Sequence, residues 1–425
     1  MYGSTRARFV RMFGSAVAIQ ALLSATNFFI GIVLIRHTAD LQYGYYVLIT
    51  NAMLLISGLQ SAFVQPPLVL RMTTLDPAGR ATLVGGLYHG QRILLRRAAA
   101  ALSGVTLLLW LFHVIEPEQV FLNFAAIIAL VCILYKESFR MVLLAHRRSY
   151  DVLKADGCYV LIVVVTVPLA TLTPMPAAFA VLLIAAATCV SGVMMSRFLW
   201  RFEPWDRKSR QPVLTELAPM GGWSAAGSAT HWAFSQGYSY VVAAVLDVPS
   251  VAALAAIRLL MMPINLLSSG ITSLMMPTAS AWLQQHGAVA LFRRLWAIAA
   301  GLAALALCYF GALWFTRDAL FAHLIRKSFA HRDGLMLAWF SVFLVMIFRD
   351  QLLYVLGATG RFRSLTSITL ASALISLGTG YVAILHLGVL GAPLGVLIGE
   401  LVNLAGIIVL SRRCINLAPA AQAAP

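Results

Sequence analysis

The stretch "MIFRDQLLYVLGA", residues 346–358, places two opposite charges, Arg349 and Asp350, side by side in an otherwise apolar run. A charged side chain at the centre of a bilayer costs about 2.5–3.5 kcal/mol on insertion scales, and such residues usually serve a function. The meaning of this pair depends on two questions: whether the run spans a membrane, and whether the pair occurs more than once.

The charge pair occurs twice in the chain. The stretch "ILYKESFRMVLLA" (133–145) lies 213 residues earlier and places Lys136 beside Glu137 at the same point of another apolar run. Pro66 and Pro277, which are 211 residues apart, end the second and eighth apolar runs. Self-similarity at a nearly fixed offset is the signature of an internal repeat, so the sequence predicts two equivalent halves.

The first apolar run of each half carries polar residues along one helix face. Gln20, Ser24 and Asn27 share a face of the first run. His231 and Ser235 share a face of the seventh run, 211 residues after Gln20 and Ser24. Polar residues at membrane depth normally face a bundle interior or a watery cavity, although serines also serve close helix packing.

The composition predicts a polytopic membrane protein. The chain has 425 residues, of which 61% are hydrophobic and only 11% are charged, with a mean hydropathy of +0.86. Soluble domains carry about 25% charged residues, and the segments here are too long and too apolar for an outer-membrane barrel. The five cysteines form no CxxC motif, so we expect no disulfide framework, metal site or cofactor.

The net charge of +16 does not indicate nucleic-acid binding, because the basic residues lie in short loops between apolar runs and no nucleic-acid-binding motif is present. The alternating distribution of these loops predicts that both termini are cytoplasmic. The N-terminus resembles a signal peptide, but its apolar run continues to Ile35, which favours a retained first helix.

The pattern predicts twelve spans in two groups of six. They lie near residues 14–35, 43–65, 96–115, 120–143, 157–173, 177–198, 219–245, 250–277, 291–315, 334–356, 364–386 and 389–411. The predicted domains are an N-terminal lobe (1–205), a cytoplasmic linker (206–217), a C-terminal lobe (218–414) and a disordered tail (415–425). Six spans per half give both halves one orientation, so we expect an all-α integral membrane fold of two parallel-repeat six-helix bundles around a central cavity, which is typical of a transporter.

These features resemble the multidrug/oligosaccharidyl-lipid/polysaccharide exporter superfamily, and most closely its polysaccharide-transporter branch of Wzx-like flippases. The resemblance is carried by "LIRHTADLQYGYYVL" (34–48), its counterpart "VLDVPSVAALAAIRLL" (245–260), and the charged helices "YKESFRMVLLAHRRSY" (135–150) and "FRDQLLYVLGATGRFR" (348–363). It covers nearly the whole chain. The glycine and proline usual after span one are only partly present, and the chain leaves no room for the two extra helices of the lipid II flippase branch.

The resemblance implies a bacterial inner-membrane flippase that moves a polyprenyl-diphosphate-linked oligosaccharide by alternating access. The cargo would be a repeat unit of O-antigen lipopolysaccharide or of exopolysaccharide. Its implied partners are membrane lipids, the polymerase and glycosyltransferases of the same pathway, and H⁺ or Na⁺ where transport is ion-coupled.

The intramembrane charges are the candidate site. We predict that four cations bind the diphosphate or another anionic head: Arg349, Lys136, Arg140 and Arg258. The three arginines suit bidentate contact with phosphate. Three acids are predicted as charge partners or ion-coupling groups: Asp350, Glu137 and Glu400. The alternative is that the long side chains reach outward to the interface.

Polar and aromatic residues of the first and seventh spans are predicted to contact sugar, whose faces stack on aromatic rings. They are His231, Trp232, Gln236, Tyr240, Gln20 and Asn27. A buried histidine that is satisfied by a neighbouring helix is the alternative for His231.

Two other function classes remain open. A cation-coupled multidrug antiporter shares the fold, but its cavity should be acidic, whereas the predicted intramembrane set has one more cation than acids. A membrane enzyme, such as a glycosyltransferase or an O-antigen ligase, needs an extended catalytic loop or soluble domain. No stretch between the predicted spans is long enough for either. We therefore expect no enzymatic activity and no catalytic residues.

Overall fold

The computed structural model describes the backbone of residues 2–422 and the side chains of residues 18–265, 275–276, 278–361 and 363–413. These residues form helices and connecting turns, without a strand. The α-helices are α1 (Tyr2–His37), α2 (Asp40–Thr74), α3 (Pro77–Leu111), α4 (Pro117–Ala145), α5 (Ser149–Ala170), α6 (Pro176–Phe202), α7 (Val213–Val245), α8 (Val248–Leu260), α9 (Met262–Ala319), α10 (Arg332–Ala358), α11 (Phe362–Leu387) and α12 (Gly391–Gln422). The predicted all-α class is confirmed.

Nine helical segments of the described chain are long and apolar enough to cross a membrane, so this is a multi-pass membrane protein. The predicted span at 250–277 is divided, because α8 ends at Leu260 and Pro263 lies at the start of the next helix. That next helix, α9, also includes the predicted ninth span and is interrupted at Gly287, whose φ of 75° is left-handed.

Local sequence signals explain several helix starts. Asp76 precedes Pro77 and accepts a hydrogen bond from the backbone N–H of Gly79 at 3.0 Å. Asp247 caps α8 in the same way, accepting from Ser250 N at 2.7 Å. A short side-chain acceptor followed by proline in the first turn is a strong helix-start signal, and it keeps the loops between these apolar helices short.

The turn that ends α4 recurs at the end of α10. Arg147 and Gly360, which are 213 residues apart, both have left-handed backbones, with φ of 58° and 71°. The next N–H groups complete the same motif: Arg148 N donates to Leu143 O at 2.9 Å, and Arg361 N donates to Leu356 O at 3.0 Å. The following helices also start 213 residues apart. The internal repeat is therefore present in the backbone.

The chain divides into a first unit, Met1–Ala229, and a second unit, Thr230–Pro425. In the first unit α4 and α5 both pack on α6, and in the second α10 and α11 both pack on α12. The division lies within α7, beyond the predicted linker at 206–217. The predicted tail overlaps α12, which continues to Gln422, and residues 423–425 lie outside the described residues.

Candidate functional site

The second unit holds its charge pair in a buried cluster on α10. The Arg349 side chain is only 7% exposed, and its Nη2 lies 2.7 Å from Asp350 Oδ1. Its Nη1 lies 3.1 Å from Oε1 of Glu400 on α12. Arg349 therefore joins two helices and is neutralised by two carboxylates, of which Asp350 remains partly exposed.

Glu400 is placed by the close packing of α12. A Cβ added to Gly399 would lie 2.5 Å from Ser376 Cβ and 2.7 Å from the ring of Phe234, so only glycine fits there. Glu400 is 3% exposed, and its second oxygen, Oε2, accepts no hydrogen bond from any described residue. A buried carboxylate oxygen without a donor is costly to maintain, which makes this atom a candidate acceptor for a proton or another cation.

Arg258, at the end of α8, is held by neutral groups. Its Nη1 donates to Gln236 Oε1 at 2.6 Å and to Tyr238 Oη at 2.9 Å. Its guanidinium also lies 5.3 Å from the centre of the Trp339 ring, a cation–π distance. No carboxylate of the described residues forms an ion pair with Arg258, so among the four predicted cations its charge is the least compensated.

The first unit has its own buried cluster at the equivalent position of α4. Lys136 Nζ lies 2.7 Å from Oδ1 of Asp156, whose side chain is fully buried. Arg140 contacts Glu137 at 3.3 Å and Asp156 at 3.8 Å. Lys136 also lies 4.5 Å from the centre of the Tyr159 ring. The cations of this cluster are compensated by the same number of carboxylates.

Asp156 is the residue that sequence analysis missed. The fifth span was predicted to start at residue 157, which places Asp156 outside the membrane, but α5 starts at Ser149. Val152, Ala155 and Asp156 are all fully buried and share one helix face. Helical periodicity upstream of the apolar run would have included this acid in the set.

Counting Asp156 changes the charge balance that sequence analysis assigned. The first cluster has a formal charge of zero, from two cations and two acids. The second has a formal charge of −1, from Arg349 against Asp350 and Glu400. Together with Arg258, the described intramembrane set contains four cations and four acids, so the predicted excess of one cation is absent.

The predicted sugar-contacting residues are divided between the units. Gln20 and Asn27 are exposed on α1 in the first unit. In the second unit His231 is exposed on α7, the rings of Trp232 and Tyr240 lie 5.5 Å apart, and Gln236 orients Arg258. No contact of the described residues tests their role with sugar, which stays a prediction.

A titratable group lies at the turn after α4, outside the membrane-spanning segments. His146 Nε2 is 3.2 Å from Glu203 Oε2, and Glu203 also accepts from Arg80 Nε at 2.8 Å. Burial lowers the pKa of His146; Glu203 opposes this shift, while Arg80 and Arg148 add to it. The imidazole is therefore held largely neutral at pH 7.

Comparison with protein families gives a match over part of the chain. A family described as "Polysaccharide biosynthesis protein" matches residues 154–308, less than half of the sequence. The matched range begins in α5, just before Asp156, and ends in α9. No curated protein matches the chain significantly.

Solved structures share the fold over nearly the whole chain. An inward-facing multidrug resistance MATE family transporter of the MOP superfamily has a TM-score of 0.75 at 14% identity, covering 94% of this chain and 96% of its own. The lipid II flippase MurJ has a TM-score of 0.69 at 10% identity, covering 93% and 87%. A eukaryotic MATE transporter has a TM-score of 0.60 at 11% identity, covering 97% and 98%.

These identities establish a common fold. The resemblance to the multidrug/oligosaccharidyl-lipid/polysaccharide exporter superfamily is therefore confirmed at the level of fold, and the family match agrees with its polysaccharide branch.

Proposed function

We propose that this chain is a flippase of the bacterial cytoplasmic membrane that moves a polyprenyl-diphosphate-linked oligosaccharide to the outer leaflet by alternating access. The cargo is a repeat unit of O-antigen or exopolysaccharide. The observation that carries the proposal is the polysaccharide biosynthesis match at residues 154–308, on a chain that shares its fold with a lipid II flippase.

Arg258 is the proposed contact for the diphosphate in the second unit. Gln236 and Tyr238 fix one guanidinium nitrogen, and neither partner neutralises its charge. A pre-oriented arginine without a carboxylate partner presents its remaining N–H groups to an incoming phosphate at little reorganisation cost. His231, Trp232 and Tyr240 on α7 are then the proposed sugar contacts of the second unit, and Gln20 and Asn27 are those of the first.

The two buried clusters are proposed to have different roles in the transport cycle. Arg349, Lys136 and Arg140 reach phosphate only if their present carboxylate partners release them. Protonation of Glu400, whose Oε2 has no donor in the described residues, would weaken its hold on Arg349. Binding of H⁺ or Na⁺ at Glu400 would in this way loosen Arg349 from α12, while Asp350 keeps its charge compensated.

The proposal is tested by removing the protein from its cell. Lipid-linked repeat units should then accumulate in the inner leaflet while surface glycan disappears, because synthesis continues without translocation. Complementation with Arg258→Gln should restore membrane insertion but not glycan export. Absence of the lipid-linked units from the deletion strain would contradict the proposal and indicate a biosynthetic enzyme instead.

A second candidate function is a cation-coupled multidrug antiporter. It is favoured by the formal charge of −1 on the second cluster, since a site with excess carboxylate attracts cationic drugs, and by the likeness to MATE transporters. Reconstituted protein that exports a cationic dye under a proton gradient, and fails to move lipid-linked oligosaccharide, would establish it.

The predicted topology places both termini in the cytoplasm, where the glycosyltransferases of the pathway assemble the substrate; the polymerase acts after translocation. Neighbouring genes that encode these enzymes would support the glycan reading, whereas a neighbouring drug-responsive regulator would favour the antiporter.

A further inference from the structure

The first unit contains a cavity that neither charge cluster uses. It has a volume of about 520 Å³ and lies among α3, α4, α6 and the segment 203–212, which we call the strap. Residues 206–212 of the strap belong to the predicted cytoplasmic linker. The strap packs along α3, and this packing forms one wall of the cavity.

A glycine of α3 and two hydrogen bonds explain how the strap is held. A Cβ on Gly85 would lie 1.9 Å from the carbonyl oxygen of Asp206, so only glycine admits the strap backbone there. Asp206 N donates to Ala81 O at 3.0 Å, and Ser209 Oγ donates to Thr82 O at 2.8 Å. Hydrogen bonds to helix carbonyls and close backbone contact fix this wall, so the cavity exists without a ligand.

Arginines from three elements converge on the cavity. They are Arg92 of α3, Arg197 and Arg201 of α6, and Arg207 and Arg210 of the strap. No described residue that lines the cavity is a carboxylate. The nearby Glu203 is already engaged by Arg80 at 2.8 Å and by His146 at 3.2 Å.

The arginines are oriented by groups that leave their charge uncompensated. Arg207 lies 4.2 Å from the centre of the Trp200 ring, and Arg210 donates to backbone carbonyls of Arg207 and Ser209. No ion pair of the described residues involves Arg92, Arg197 or Arg201. Five like charges at one cavity repel each other, and an anion with several acceptor oxygens would relieve that repulsion.

An aromatic wall faces the arginines. Trp205 makes edge contacts with Tyr88 at 5.2 Å and with Trp200 at 4.9 Å, measured between ring centres. The Tyr88 side chain is buried, at 6% exposure, yet its hydroxyl has no hydrogen-bond partner among the described residues. Tyr88 is one of the residues that line this donor-rich cavity, and a ligand oxygen that reached its buried hydroxyl would complete the hydrogen bonding.

We propose that this cavity binds the phosphate-bearing head group of an anionic lipid. The arginines take the phosphate oxygens, and the aromatic wall packs against the glycerol or first sugar. A lipid fits the position, because Trp200 and Phe202 are exposed at the end of the apolar helix α6, as interfacial aromatics are. Basic pockets beside membrane helices on the cytoplasmic side bind such head groups. The site does not depend on the proposed transport function.

The test measures binding to the purified full-length protein by native mass spectrometry, with cardiolipin as the anionic probe and phosphatidylcholine as the neutral one. Cardiolipin should bind in preference to phosphatidylcholine. The Arg92→Gln/Arg197→Gln variant should bind cardiolipin about tenfold more weakly or worse, which corresponds to about 1.4 kcal/mol. Tyr88→Phe, which removes only the hydroxyl, should weaken binding severalfold without altering the melting temperature.

A matched control removes the same charge next to the cavity. Arg96 and Arg97 are exposed one turn further along α3 and do not line the cavity. Arg96→Gln/Arg97→Gln should therefore keep nearly all cardiolipin affinity. Equal weakening in the two double variants, or equal binding of cardiolipin and phosphatidylcholine, would overturn the site.

Competition identifies the source of the phosphate. Soluble pyrophosphate should displace cardiolipin only at much higher concentration if the head group and its lipid are recognised together. Displacement at concentrations comparable to those of cardiolipin would overturn the lipid assignment and indicate a soluble phosphate compound. Since binding is read without transport, failure here leaves the proposed flippase function untouched.

Discussion

Lys136 and Arg349 occupy the same place in the repeat, but their buried carboxylate partners come from different helices. Lys136 on α4 pairs with Asp156 on α5, at 2.7 Å. Arg349 on α10 pairs with Glu400 on α12, at 3.1 Å. The residue 213 positions after Asp156 is Thr369, and the one 213 positions before Glu400 is Ala187. The repeat thus preserves the cation and its adjacent acid, while the distant acid differs.

The two clusters also differ in how many acids compensate the central cation. In the described structure Lys136 has one carboxylate within ion-pair distance, whereas Arg349 has two, Asp350 and Glu400. A buried cation with one partner cannot lose it without becoming an uncompensated charge. We therefore infer that the first cluster is structural. In the second cluster Glu400 can change its protonation while Asp350 keeps Arg349 paired.

The largest effect is expected from Asp156→Asn. It leaves Lys136 buried without a carboxylate partner, and breaking a buried ion pair costs about 3–5 kcal/mol. The purified variant should therefore melt far below the wild type. Replacing both partners, as in Lys136→Met/Asp156→Leu, should recover most of the stability, because an apolar pair of similar volume avoids the buried charge. A single variant as stable as the wild type would show that Lys136 finds another partner.

Exchanging the adjacent charges of the second cluster should come next. In Arg349→Asp/Asp350→Arg the new carboxylate at 349 faces Glu400, and two buried carboxylates cannot both remain ionised at that distance. We expect a destabilisation of about 3 kcal/mol and, under the proposed function, loss of glycan export. Adding Glu400→Gln should restore part of both. If the variant with the exchange alone still exports normally, the contact between Arg349 and Glu400 is not used in transport.

A smaller loss is expected from Glu400→Gln alone. Asp350 still compensates Arg349, so the cost should be about 1–3 kcal/mol, the range for one lost charged hydrogen bond, and clearly less than for Asp156→Asn. Under the proposed function, export should nevertheless lose its response to an ion gradient, measured in proteoliposomes with and without that gradient. Equal melting temperatures for Glu400→Gln and Asp156→Asn would contradict the inferred difference between a structural first cluster and an ion-responsive second cluster.

Much of the architecture could be predicted, because it follows from signals that depend on sequence spacing alone. The apolar runs placed the helices, and the 213-residue offset between Lys136 and Arg349 identified the repeat that the turns at Arg147 and Gly360 confirm. The division of the eighth span at Leu260 was missed, because hydropathy averaged over about twenty residues does not register a local helix break.

The candidate site was less predictable, because pairing depends on which helices pack together. Glu400 was predicted as a charge partner or an ion-coupling group, and only tertiary structure shows that it pairs with Arg349 and not with Arg258. Asp156 was excluded by an eight-residue error in where α5 starts. The arginine cavity was hidden for a related reason: basic residues near span ends are read as topology signals, and nothing in their spacing shows that the strap brings them together.

The smallest expected effect concerns the turns that follow α4 and α10, where His146 corresponds to Thr359. Because burial lowers the pKa of His146 in the folded chain, the unfolded chain binds its proton more readily. Stability should therefore be unaffected above the ordinary histidine pKa of about 6.5 and fall as the pH drops below it. The variant His146→Thr, which copies the second unit, should show a flatter fall in melting temperature between about pH 7 and pH 5. An unchanged slope would mean that burial and the nearby Arg80 and Arg148 do not hold the imidazole neutral, and that the two turns respond alike to acid.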